Sequence, residues 1–417
     1  MKAKFDYDCI VIGGGPAGLM AAIQSAAAGN RVAVLERNGV LCKKLRITGK
    51  GRCNLTNDCD FDSLMAGIPH NPKFLFSALK KFSNTDIISF FQEQGLKTVT
   101  ERGGRVFPET QRSGDVAGAL IACARKHHID IFTNTRVLSV WIEEHTVRGV
   151  LFRCGKNESR LSAPFVVVAT GGLSYPLTGS TGDGYLFAEQ AGHTIISPHA
   201  SLAALLSGEP FMNALKGLSL RNISISLLEN GRIVYQDFGE LLFTGSGVSG
   251  PVILSASAYY KPDSETVLYI DLKPALDEKK LYERIQRDFM ESSRKLFSNA
   301  LDKLLPKKMI PVLIARTGIA PAKPVNQLSR EERMTVVRLM KQFSVRIDAI
   351  DDVKNAIVTA GGVCVREVDP KTMESKLCRG LFFAGEVLDV DGYTGGFNLT
   401  IAFSTGYAAG SGTNKKE

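Results

Sequence analysis

Residues 8–18 read Asp8-Cys9-Ile10-Val11-Ile12-Gly13-Gly14-Gly15-Pro16-Ala17-Gly18. An apolar run without polar alternation predicts a short strand buried on both faces. The glycines end it, and Pro16 opens a small-residue helix that runs to Ala28 and closes at Gly29-Asn30. Arg31-Val32-Ala33-Val34-Leu35-Glu36 then reads as a second strand. Strand, helix and strand in this order predict a parallel sheet with helices on its faces, an α/β fold of Rossmann-like type.

The turn fits G-x-G-x-x-G in the context that gives the pattern meaning. Gly13 permits the tight turn, Gly15 lets a pyrophosphate approach the backbone, and Gly18 lets helix and strand pack closely, with Ala17 between them. The helix start offers N–H groups and partial positive charge to a diphosphate. Glu36, at the tip of the second strand, is placed to accept from a ribose 2′-hydroxyl, with Arg37 beside it.

Similar buried strands recur far along the chain. Phe165–Ala169 ends at Thr170-Gly171-Gly172, and Gly380–Ala384 ends at Gly385-Glu386. Strands of this kind near both ends predict one dinucleotide-binding domain built from both chain halves around an insert. We divide the chain into 1–194, first part of the dinucleotide domain; 195–272, a β-rich insert with alternating runs such as Ile223–Leu227 and Thr266–Ile270; 273–345, a basic helical subdomain; and 346–417, the return. Thr85–Gly95 and Ser113–His127 read as amphipathic helices, and Gly410–Glu417 as a frayed tail.

The 417 residues carry 51 Lys and Arg against 42 Asp and Glu, net +9, with 44% hydrophobic and 22% charged residues. That composition excludes disorder and collagen-like repeats. The excess is concentrated: from Asp271 to Lys341 there are 16 Lys and Arg against 9 Asp and Glu, a difference of seven. Such a segment is a solvated helical face or an attractor of phosphate-rich partners. The eight cysteines contain no C-x-x-C pair, so neither a zinc site nor a compact disulfide framework is expected and no metal is assigned. With no membrane-length apolar run and a charged start, Met1-Lys2-Ala3-Lys4, the expectation is a cytoplasmic protein without membrane or DNA partners.

Two further segments bear on chemistry. Lys43 to Asn57, with Lys44, Gly51, Arg52, Cys53 and Asn54, packs glycines, cations and amides into an irregular loop just after the acidic-tipped strand. It is suited to hold phosphate and ring oxygens. Near the end, Gly385-Glu386 leads through Gly392-Tyr393-Thr394-Gly395-Gly396 into a small-residue helix starting near Asn398-Leu399, an arrangement fitting a flavin ring. Gly245–Gly250 also fits G-x-G-x-x-G and could hold a nicotinamide, but Lys261-Pro262 breaks the following helix early.

Together these segments resemble the bacterial flavoproteins of the two-dinucleotide-binding superfamily, labelled YhiN-like, BaiN-like or aminoacetone-oxidase-like. The residues carrying the likeness are Gly13–Gly18 with Glu36-Arg37, Lys44–Asn57, Gly104–Pro108, Ala169–Gly184, Ser249-Gly250-Pro251 and Ala384–Leu399. The resemblance implies a split FAD domain interrupted by a β-barrel-like domain and a small helical domain. It also implies that Val137 meets the adenine through its backbone and that Gly171 and Glu386 border the cofactor. Members are linked to reduction of C=C bonds conjugated to carbonyls, in oxidised bile acids or in uridine of ribosomal RNA, and to amine oxidation.

The expected function is FAD-dependent reduction of such a bond, with NADH or NADPH as transient donor and a small molecule or ribosomal RNA as substrate. Cys53 is the expected proton donor, with Tyr393 and Tyr175 behind it, set against a role as a packed thiol. An amine oxidase using oxygen, and a flavin-binding protein without turnover, are the alternatives. No feature of the sequence sets the oligomeric state.

Overall fold

The computed structural model describes residues 5–414, so the expectations for Met1–Lys4 and for the last three residues lie outside it. The first unit holds residues 5–201 and 353–414, the second Leu202–Asp352. These boundaries fall about seven residues beyond 195 and 346, because Ile195–Ser201 pairs antiparallel with Val358–Val363 and so belongs to the first unit.

In the first unit, β1 (Cys9–Ile12), α1 (Pro16–Ala27), β2 (Val32–Leu35), β3 (Asp130–Phe132), β4 (Phe165–Val168), β5 (Leu381–Phe383) and α2 (Phe397–Gly412) form the frame. The five strands are parallel in the order β5-β4-β1-β2-β3. β1 lies at the centre, with Cys9 opposite both Val32 and Phe165, and its residues are 0–4% exposed. Burial on both faces accounts for its uninterrupted apolar sequence.

The two helices explain the small residues of the chain end. A Cβ on Gly406 would run into the Ala17 carbonyl oxygen, and one on Gly410 into that of Ala21, so α2 lies almost backbone to backbone on α1. The expected frayed tail is instead helical through Gly412. Besides the Ile195–Ser201 and Val358–Val363 pair, the unit holds two small antiparallel sheets: Thr135–Glu143, Thr146–Cys154 and Asn157–Ser162, inserted between β3 and β4, and Thr56–Asn57, Arg105–Pro108 and Thr98–Glu101.

The second unit is a seven-stranded antiparallel sheet with helices Glu278–Glu291, Met309–Thr317 and Arg330–Lys341. Its edge strands, Phe343–Ile347 and Ala349–Ile350, do not pair with each other, so the β-rich insert is present but its ladder is not closed into a barrel. Phe243, Phe297 and Phe343 fill its core. The second G-x-G-x-x-G lies in this antiparallel sheet. Gly247–Ser249 is a strand pressed against Leu205, followed by only six helical residues, so no strand–helix–strand unit forms there.

Candidate functional site

The glycine turn has the geometry its sequence requires. Gly13 has φ of 108°, and a Cβ on Gly18 would run into the Gly13 carbonyl oxygen, which makes glycine obligatory for the contact between α1 and the turn. A Cβ on Gly15 would meet nothing within 4 Å, so the backbone there faces open space. α1 has Gly15 as N-cap, no side-chain cap and no acidic residue in its first turn. Its N–H groups are thus left for an anion. Ala17 is buried, its methyl against the position a Cβ on Gly385 would take.

Glu36 is 7% exposed and accepts three hydrogen bonds, Oε2 from the Gly14 N–H at 2.7 Å and Oε1 from both nitrogens of Asn38 at 2.7 Å, which leaves acceptor capacity on Oε2. The carboxylate thereby fixes the turn as well as the strand tip. Its carbonyl accepts from the Thr135 N–H at 2.9 Å, bringing the strand that carries Val137 alongside. A bulge between Val137 and Ser139 breaks the ladder at that point. Arg37 turns away to Thr181 and Asp183, and Arg136 reaches the same Asp183 at 3.3 Å.

The basic loop is irregular and locally strained. Lys50 and Cys53 have φ of 59° and 61°, flanking Gly51 at 85°. Lys44 Nζ lies 2.6 Å from Glu386 Oε2 and 2.5 Å from Ser174 Oγ. Glu386 Oε1 accepts from Ser174 Oγ and the Thr359 N–H, both at 2.9 Å. Residues up to 342 positions apart are thus joined in one polar knot beside Gly385, with Gly171 close to Ser180. Arg52 pairs with Glu101 and lies 4.0 Å over the Phe107 ring, so its guanidinium braces the loop against the neighbouring sheet. Asn398 ties back to Gly392 through two hydrogen bonds, leaving its backbone in the first turn of α2 beside half-buried Leu399.

Cys53 is 0% exposed, and burial pushes its thiol up to about 12. In this conformation the sulfur offers substrate no open face, and its geometry is that of a packed thiol. Tyr175 is 37% exposed; Tyr393 donates its backbone N–H to the Gly67 carbonyl at 2.9 Å.

One constellation escaped the sequence reading. His70 Nδ1 meets Asp391 Oδ1 at 2.5 Å, and the other Asp391 oxygen accepts from Ser201 Oγ at 2.6 Å. Asp391 is 1% exposed while the His70 side chain is 38% exposed. The hydrogen bond to Asp391 raises the His70 pKa above its ordinary 6.5. Asn71 holds Asp389, whose pKa burial raises. The carboxylates of Asp389-Val390-Asp391 just before the glycines were a visible signal; His70, in an Ile-Pro-His-Asn connection, had none.

Of the five buried side-chain atoms without a hydrogen-bond partner among the described residues, two are Asn54 Oδ1 and Thr170 Oγ1. One lies in the basic loop and the other at the carboxyl end of β4. With the uncapped helix starts at Gly15 and Gly396 and the open space over Gly15, they fit a dinucleotide with a polar ring system. Among the described residues no three His, Cys, Asp or Glu are arranged to hold a metal ion, and no helix is long and apolar enough to cross a membrane.

Fold and turn define a dinucleotide-binding protein of Rossmann type. The chain belongs to the HI0933-like protein Rossmann-domain family, whose model matches residues 7–412. It is 34% identical over 402 residues to a ribosomal RNA dihydrouridine synthase of Haemophilus influenzae, covering 96% of each chain. It is 31% identical over 407 residues to a 3-dehydro-bile acid delta(4,6)-reductase of Clostridium scindens, covering 96% of this chain and 97% of that one. Among solved structures, the 3-ketosteroid delta1-dehydrogenase of Sterolibacterium denitrificans superposes with a TM-score of 0.54 at 13% identity, covering 99% of this chain and 100% of that chain. That last likeness is one of fold.

Proposed function

We propose that this protein is an FAD-dependent oxidoreductase that reduces a carbonyl-conjugated C=C bond, with uridine of ribosomal RNA as substrate and NADH or NADPH as electron source. The observation that carries the proposal is full-length similarity above 30% to two reductive activities with one chemistry. Making dihydrouridine and removing a steroid double bond both saturate an activated C=C bond.

When bound, FAD supplies the hydride for such a bond. The chain's own residues bind and orient it. Gly13–Gly18 and the start of α1 hold the diphosphate, and Glu36 the adenosine ribose. Val137, on the strand tied to the Glu36 carbonyl, would meet the adenine end, and the polar knot of Lys44, Ser174 and Glu386 would fix the wall next to Gly171 and Gly385. Asn54 offers its unpartnered oxygen, and the first turn of α2 at Asn398-Leu399 presents N–H groups to ring carbonyls.

The choice of RNA over a steroid-like enone rests on the second unit. Several of its cations are paired, as Arg284 with Asp288 and Lys303 with Glu291. Lys279, Arg287, Arg294, Lys307, Arg330 and Arg338 are exposed and make no ion pair among the described residues. A steroid needs no such charge, whereas a polyphosphate does. Eight free cysteines suit a reducing compartment, so we place the protein in the cytoplasm.

Nucleoside mass spectrometry of ribosomal RNA from cells with and without the gene tests the reading. Loss of dihydrouridine in the deletion, restored by the gene, is expected. An unchanged profile, with turnover of a 4-en-3-one steroid by the pure protein, would move the substrate to small molecules.

A further inference from the structure

Saturating an activated C=C bond needs a proton as well as a hydride, and the sequence offered Cys53 for it. That sulfur is fully buried, which favours as donor a group exposed on one side and protonated near neutral pH.

The segment Gly67–Asn71 packs on the loop that feeds α2. The Gly67 carbonyl accepts from the Tyr393 N–H at 2.9 Å, and Asn398, in the first turn of α2, bonds Gly392 at 2.6 and 2.9 Å. His70 bonds Asp391 one residue before that loop's first glycine. His70, the loop and the helix start therefore form one hydrogen-bonded patch at the uncapped start of α2. We propose that His70 is the proton donor of the reduction, with Asp391 and Ser201 as positioning residues that hold its Nδ1 inward and leave Nε2 facing outward.

The proposal rests on the reductase reading above. Its balance is simple. The electron pair enters with a hydride at the β-carbon, supplied by the reduced cofactor and before it by a dihydronicotinamide. The π pair shifts to the carbonyl as an enolate, whose α-carbon takes the proton from Nε2–H. The neutral imidazole regains a proton from solvent at its exposed edge.

Burial of Asp391 with a Ser201 donor on its second oxygen keeps the carboxylate an acceptor for Nδ1–H, and this raises the imidazole's affinity for a proton. The other charged or titratable groups at hand are Asp389, which acts in the same direction on His70, and His199 beyond it. Nε2 makes no hydrogen bond among the described residues.

Two measurements on the holoprotein decide the matter. In NMR of protein labelled at histidine Cε1, one of the six histidines should titrate above 6.5, vanish in His70→Gln and shift down in Asp391→Asn. A His70 signal titrating at or below 6.5 would overturn the assignment, whatever the substrate. In turnover with a uridine-containing ribosomal RNA fragment and with a 4-en-3-one steroid, His70→Gln should lower kcat by about 100-fold or more, with KM and bound FAD unchanged. Wild-type failure on both probes would sink the reductase reading instead, leaving the titration to judge the pair. Wild-type turnover matched within about threefold by His70→Gln would remove His70 from the chemistry.

Discussion

Cys53 and His70 show how burial separates a group the sequence singled out from one it did not: the thiol is fully buried, whereas the imidazole keeps an exposed edge. Burial pushes the thiols of Cys9, Cys42 and Cys53 up to about 12, whereas Cys154 is exposed. Iodoacetamide at about pH 8 should therefore label Cys154 quickly and Cys53 only on unfolding, read by peptide mass spectrometry. Rapid labelling of Cys53 in the native protein would restore it as a reactive thiol. The His70–Asp391 pair gives a pH signature. Because the native pKa is raised above 6.5, the pair's stabilisation is fully present below that value and is lost as pH rises through the native pKa. Asp391→Asn should therefore lower Tm more at about pH 5.5 than at about pH 9. Equal losses at both would mean that the pair is not ionic. Neither partner could be matched from sequence: 321 positions separate them, and no periodicity links an isolated histidine to a distant carboxylate.

At the scale of elements, the parallel strands and their glycine ends were legible because central strands must be apolar on both faces. The small residues of α2 were legible as a pattern but not in purpose. Only the packing shows that Gly406 and Gly410 let α2 settle on the backbone of α1. Gly406→Leu should cost roughly 1–3 kcal/mol in denaturant unfolding and reduce bound FAD, since it pushes on the first turn of α1. Unchanged stability would show that the helices have room to part. Alternation places the strand Ile195–Ser201 in the insert because it reveals a strand but not its partner, here Val358–Val363. The same blindness to pairing left the second glycine motif open until its antiparallel neighbours were seen.

For the whole molecule, the basic character of the second unit was plain in composition, but which cations are free depends on ion pairs such as Lys323 with Glu332. Replacing exposed Lys279, Arg287 and Arg338 by Gln should weaken RNA binding and flatten its dependence on salt, the logarithmic slope falling by about one for each phosphate no longer neutralised. A slope that does not change would place RNA elsewhere or exclude it. The joining of both chain ends into one dinucleotide cradle underlies every other statement. It is tested most directly by the absorption spectrum of the purified protein together with chromatography of the released cofactor. A yellow protein yielding FAD in a one-to-one ratio, and regaining it after stripping, is the expected result. A colourless chain that fails to take up FAD would contradict the cradle and the reductase chemistry built on it.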